Sequence, residues 1–167
     1  MNLRFEEVEE SHLEALLEIY NDYVKNSTAT FQIIELKLAA FQEQLIFKEP
    51  YFKSYTIVDQ GKEDVICGYA SLFQHKKREA FDITAEIALY LSDGYTGKGI
   101  GSLALDFLEE KARKTKFHSL IASISSENER SITLFEKKGY VKCGYYKEVG
   151  KKFGRLLGLV TLQKQLR

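Results

Sequence analysis

Leu89-Tyr90-Leu91-Ser92-Asp93-Gly94-Tyr95-Thr96-Gly97-Lys98-Gly99-Ile100-Gly101-Ser102 is the stretch on which the reading of this chain turns. An apolar run ends at Leu91, a polar turn follows, and glycines at 97, 99 and 101 lead into a helix. Ile100, Leu103, Ala104, Phe107 and Leu108 make one apolar face of that helix, and Glu109–Arg113 and Glu110–Lys114 read as outward i,i+4 pairs. Glycine lets a backbone come close to a ligand, and free N–H groups at a helix N-terminus attract phosphate. The stretch has no G-K-[ST], so it is not a P-loop, and no acidic ribose ligand follows as in a dinucleotide fingerprint. On spacing alone two readings stand level: a phosphate cradle, or a flexible glycine turn that starts a helix.

Outward from this stretch the pattern stays regular. Ile83–Leu91 reads as the strand before it, and the basic loop His75–Arg78 precedes that strand. Ser54–Asp59 and Val65–Gln74 are β-branched and aromatic, with Gly61 between them, and predict a hairpin. Near the start, Asn2–Glu6 reads as a strand. Ser11 and Glu14 have capping-box spacing ahead of a helix whose apolar set is Leu13, Leu16, Leu17, Tyr20, Tyr23 and Val24. A polar loop, 26–32, carries Phe31, and a second helix (Leu38, Ala39, Phe41, Leu45, Ile46) stops near Pro50. On the other side, Leu120–Ser125 is a short strand and Asn128 caps a helix bearing Ile132 and Phe135. Gly139 stands where a left-handed residue ends that helix. Val141–Tyr146 and Phe153–Leu162 read as closing strands. The order β–α–α–β–β–β–α–β–α–β–β belongs to an α/β (α+β) fold with a mixed sheet.

Composition narrows the function. The 167 residues, 44% hydrophobic and 13% aromatic, suit one domain over 1–167. With 24 basic and 24 acidic side chains the formal net charge is zero, which argues against nucleic acid or an anionic membrane as partner. Cys67 and Cys143 lack paired spacing, so neither a disulfide framework nor a metal site is expected, and Cys143 reads as a buried strand thiol. The opening MNLRFEEVEE is acidic, and no apolar run approaches the roughly 20 residues of a membrane span. A cytoplasmic protein is the expectation.

Thr96-x-x-Gly99-x-Gly101 resembles the Q/R-x-x-G-x-G/A pyrophosphate loop of the GNAT acyltransferases, and Asn128 with Leu134–Tyr140 resembles that family's second signature. The resemblance sharpens toward the phosphinothricin and methionine-sulfone (sulfoximine) acetyltransferase branch through Ile19-Tyr20-Asn21, Ser27-Thr28-Ala29-Thr30-Phe31, Asp82-Ile83-Thr84-Ala85-Glu86 and Phe153-Gly154. It covers almost the whole chain. It implies a GNAT fold, with about seven strands in a mixed sheet and helices on both faces, and acetyl-CoA in a V-shaped opening between two parallel strands. Backbone groups of Leu89, Tyr90 and Leu91 would hold the pantetheine arm. N–H groups of Gly97, Lys98, Gly99, Ile100, Gly101 and Ser102 would hold the pyrophosphate, and Asn128 would contact the pantetheine or cysteamine end.

The activity implied is N-acetylation of the primary amine of a small amino-acid-like molecule, without metal, by direct transfer. An alkylammonium must lose a proton before it can attack a thioester. The resemblance gives that task to Glu86, a strand carboxylate flanked by Ala85, Ile87 and Ala88. It gives Arg78 and Phe31 to the acceptor, the guanidinium for a carboxylate and the ring as pocket wall. Two departures stand out. Phe135 replaces the family's His or Tyr, so either the thiolate leaves with the help of solvent or another donor serves, with Tyr140 and Tyr145 as the candidates. Thr96 replaces Gln or Arg, with Lys98 in compensation. Acetylation of a polyamine, an aminoglycoside or a protein N-terminus, or acyl-CoA binding with little turnover, are the rival functions. A homodimer is carried over from the branch.

Overall fold

The computed structural model describes residues 1–167. In chain order the elements are β1 (Leu3–Glu7), α1 (Leu13–Asn26), α2 (Leu38–Leu45), β2 (Lys53–Asp59), β3 (Val65–Gln74) and β4 (Thr84–Leu91). They continue as α3 (Ile100–Arg113), β5 (Ser119–Ser125), α4 (Glu129–Lys137), β6 (Val141–Lys152) and β7 (Arg155–Gln165). The seven strands form one sheet in the order β1-β2-β3-β4-β5-β7-β6. Every neighbouring pair is antiparallel except β4 and β5.

Strand alternation sorts β4 into two faces. Ala85, Ile87 and Leu91 face a core of 24 buried residues that takes in Ile100, Ala104, Leu105 and Leu108 of α3 with Ile132 and Phe135 of α4. Tyr90 faces the other way and packs on a second cluster, where Leu13, Leu16, Tyr20 and Val24 of α1 meet Phe41 and Leu45 of α2. Helices therefore cover both faces. Each of these buried leucine or aromatic side chains contributes about 1.5–3 kcal/mol.

The consequential feature is the parallel pair. β4 and β5 are in register only over Thr84–Glu86 against Ser119–Ile121. Beyond those residues β4 runs on to Leu91 and β5 to Ser125 without pairing, so the sheet splits at its centre.

Four expectations need correction. Ser11 does not cap α1: it lies inside a 3-10 turn, Glu10–His12, and the Glu9 N–H donates to His12 Nδ1 at 3.0 Å instead. The last two strands are longer than their apolar pattern, because β6 continues through a polar run to Lys152. The connection is Phe153-Gly154, both left-handed (φ 53° and 74°), as a two-residue hairpin turn requires. Cys143 is exposed, since β6 is the free edge of the sheet. Glu109 turns inward to Lys164 at 2.8 Å rather than to Arg113, whereas Glu110–Lys114 pairs as expected at 2.6 Å.

Candidate active site

The split between β4 and β5 opens into a cavity of about 540 Å3. One end is built from main chain. The Tyr90 carbonyl points at β3, where a Cβ on Gly68 would stand 2.4 Å from it, and the Ser92 N–H likewise donates back to Cys67 of β3. By alternation, the main-chain groups of Leu89 and Leu91 point the other way, into the cleft. The Leu91 carbonyl meets the Tyr23 hydroxyl at 2.5 Å. Of the three residues expected to offer backbone to a ligand, Tyr90 thus contributes only its ring.

Next along the wall come Thr96, Gly97, Gly99, Gly101 and Ser102. Gly97 and Gly99 are left-handed (φ 72° and 83°), and nothing lies within 4 Å of where their Cβ atoms would be. Glycine is needed there for conformation, and the space before the loop is open. At Gly101 the reason differs: a Cβ would sit 2.8 Å from Leu134 of α4, so this glycine allows α3 to approach α4. No side chain caps α3, so its first-turn N–H groups lack a side-chain acceptor at the positive end of the helix. Lys98 and Ile100 do not line the cavity. Lys98 lies over the Tyr95 ring at 5.5 Å, and Ile100 is buried in the core, so each can offer only backbone. Asn128 does line it, accepting from the Ser131 N–H at 3.3 Å as the cap of α4 and keeping its amide donors free of protein partners.

The other end is built from side chains on distant segments. Ser27, Thr28 and Ala29 follow α1, Phe73 belongs to β3, Ser123 to β5, and Glu127 and Arg130 flank the start of α4. Glu86 is not itself one of the lining residues; it lies beside the wall residues Phe73, Ile87 and Ser123, where β4 and β5 part. Its Oε1 accepts from Ser123 Oγ at 3.2 Å, and its Oε2 is 3.2 Å from His75 Nδ1.

The expected acceptor residues fare less well. Arg78 is exposed, makes no side-chain hydrogen bond and does not line the cavity, because its loop is turned outward by the 3-10 turn Glu79–Phe81. Phe31 is also off the cavity wall. Its ring covers Gly150 of β6, where a Cβ would come within 2.8 Å. Neither expected proton donor reaches the cavity. Tyr140 is buried behind Phe135, their ring centroids 4.9 Å apart, and burial together with Glu109 holds its hydroxyl pKa far up. Tyr145 lies on exposed β6 against Gly158.

Sequence reasoning missed the residues that hold this wall together. Lys152, 4% exposed, has no carboxylate partner; its ammonium donates to the carbonyls of Ser27 (2.6 Å), Thr30 (2.9 Å) and Tyr23 (3.5 Å). It thus caps the C-terminal end of α1, where a cation is favoured, although burial draws its pKa down. Across the hairpin turn, Arg155 grips Glu127 through two hydrogen bonds of 2.8 and 2.7 Å, and Thr28 donates to the same carboxylate at 2.9 Å. Arg155 first, and Thr28 second, hold the Glu127 pKa down to about 2. The tip of the β6–β7 hairpin therefore ties the loop after α1 to the start of α4. Nothing in K-E-V-G-K-K-F-G-R foretells this except the glycine of the turn.

Comparison with known proteins agrees with this architecture. The acetyltransferase (GNAT) family matches residues 14–140. An L-methionine sulfoximine/L-methionine sulfone acetyltransferase of Pseudomonas paraeruginosa is 36% identical over 155 residues, covering 92% of this chain and 89% of the relative. An L-amino acid N-acyltransferase of Escherichia coli is 30% identical, covering 99% and 94%. A GNAT superfamily phosphinothricin acetyltransferase from Sinorhizobium meliloti, solved in complex with acetyl-CoA, superposes with a TM-score of 0.92 at 26% identity, covering 99% and 89%.

Proposed function

The chain belongs to the GNAT acetyltransferase family and is an N-acetyltransferase; from that premise we propose that it acetylates the primary amine of a small amino-acid-like molecule, of the methionine sulfone, methionine sulfoximine or phosphinothricin type. Acetyl-CoA is the donor in this reading, and it supplies an acyl group activated as a thioester. The observation that carries the proposal is the central split of the sheet, with an uncapped glycine-rich helix start at one end and a hydrogen-bonded carboxylate, Glu86, just behind the wall residues Phe73 and Ser123 at the other.

The donor site suits the chemistry of a coenzyme A pyrophosphate. The loop is open at Gly97 and Gly99, and N–H groups of residues 97–102 at the positive end of α3 hold the anion in this reading. Cleft-facing main chain of Leu89 and the free amide of Asn128 take the pantetheine arm. Glu86 accepts the proton that the acceptor's ammonium must lose, a role worth about 100- to 10,000-fold in rate. The names of the relatives support an amino-acid-like acceptor. With Arg78 turned away, Arg130 is the cavity cation free of a protein partner, and it takes the acceptor carboxylate in this reading.

Residues 1–167 act as one cytoplasmic domain in the same proposal, paired as a homodimer. The exposed edge of β6, with Tyr145, Tyr146 and Val149 bare, supports the pairing, because unprotected edge strands invite a partner. Light scattering tests that part. For the activity, free-thiol release from acetyl-CoA is followed with methionine sulfone, methionine sulfoximine, phosphinothricin, a polyamine, an aminoglycoside and a short peptide. Turnover confined to the first three is the expected result. Turnover with the polyamine or peptide instead overturns the substrate class, and acetyl-CoA binding without thiol release makes the chain a binding module.

A further inference from the structure

We propose that His75 is a positioning residue for the transfer: its imidazole donates to Glu86 and holds that carboxylate in the orientation in which it meets the acceptor amine. The inference rests on the assignment of Glu86 as base. It starts from a difficulty of that assignment. A glutamate on a strand has three rotatable bonds, and the immediate neighbours of Glu86 cannot steady it. Ala85 and Ile87 point to the opposite face of the sheet, Ala88 is small, and the cross-strand neighbour, Phe73, has no polar atom to offer.

Two donors supply what the strand lacks, one on each side of β4. Ser123 on β5 takes Oε1 and His75, just beyond the end of β3, takes Oε2, each at 3.2 Å. A carboxylate held at both oxygens has its plane defined, and the remaining lone pairs are aimed. Since the carboxylate accepts, Nδ1 carries the proton in this pair and Nε2 is the free nitrogen.

The imidazole is itself placed. Its ring stands edge-on to Phe81, 5.7 Å between centroids at 76°, and its side chain is 19% exposed. The next three residues of the loop, Lys76, Lys77 and Arg78, make no side-chain hydrogen bond or ion pair and are exposed. Of the four basic residues in this loop, only His75 turns back to the sheet.

The test measures kcat and both KM values for His75→Ala, His75→Asn, Glu86→Gln and the double variant Glu86→Gln/His75→Ala. Calorimetric binding of acetyl-CoA reports that each variant is folded. Losing one hydrogen bond to a charged group is expected to lower kcat on the order of tenfold in His75→Ala, with the KM for acetyl-CoA unchanged. His75→Asn, whose amide nitrogen takes the place of Nδ1, restores most of that loss. In the Glu86→Gln background the same alanine substitution costs nothing further in kcat, because the base that it orients is gone. Wild-type kcat in His75→Ala, no rescue by asparagine, or the same tenfold loss in the Glu86→Gln background would each overturn the proposal. Full activity in Glu86→Gln alone overturns the base assignment instead, and the two failures are told apart by that single variant.

Discussion

The two ends of the cavity are built from different materials. The end formed by Leu89, Leu91 and the Gly97–Ser102 loop presents main chain, whose direction follows from strand alternation and from left-handed glycines within a few residues of one another. The end formed by residues 27–30, Ser123 and Glu127 is a set of short segments that would not hold their places alone. Lys152 and Arg155, 122 to 129 and 28 residues away along the chain from what they grip, keep them there. A ligand common to a whole family can be met by backbone, which every sequence has. A variable acceptor calls for side chains, and side chains need long-range support.

That contrast makes separable predictions. The largest effect is expected from Lys152→Met, which leaves the Ser27 and Thr30 carbonyls without their donor, while the Tyr23 carbonyl keeps the Ser27 N–H. A loss of about 3 kcal/mol in thermal or denaturant unfolding follows, with the acceptor KM raised at least about tenfold and acetyl-CoA affinity little changed. If both affinities fell together, the two ends would not be independent. Gly99→Val strikes the other end. A β-branched residue forced to φ 83° costs about 1–2 kcal/mol, and acetyl-CoA affinity by calorimetry falls about tenfold while the acceptor KM holds.

Smaller shifts refine the comparison. Arg155→Met releases Glu127 and is expected to raise the acceptor KM a few-fold, with unfolding nearly unchanged because the pair is solvent-exposed. The smallest is a pH effect. The Glu127 pKa is about 2 in the folded chain against an ordinary 4.5, so the ion pair's contribution is whole above pH 4.5 and is lost as pH falls toward about 2. The hydrogen-exchange protection of residues 27–30, taken relative to the intrinsic rate at each pH, should fall over that window in the wild type and not in Arg155→Met.

The legible parts of the molecule were those where cause and effect lie close in sequence. The stripe of Ile100, Ala104 and Leu108 marks α3, Gly139 ends α4 with φ 89°, and Asn128 caps α4. Where partners are distant, local pattern misleads. The acidic Glu109 looks outward on its helix yet pairs with Lys164 of β7. Arg78 looks like the natural carboxylate ligand of a basic loop whose inward residue is His75. Tyr140 and Tyr145 carry suitable hydroxyls in the wrong places, one behind Phe135 and one on the sheet edge.

By itself the sequence determined the order of the elements, their apolar faces and the glycine loop that opens α3, because helix periodicity, strand alternation and left-handed glycine act within a few residues. Only the tertiary structure decided that β4 and β5 part after Glu86, that Leu89 and Leu91 turn their main chain into the gap, and that Lys152 and Arg155 lace its far wall. Those outcomes depend on strand order and register, where one residue of slip exchanges every inward side chain for an outward one. No short stretch of chain carries that information.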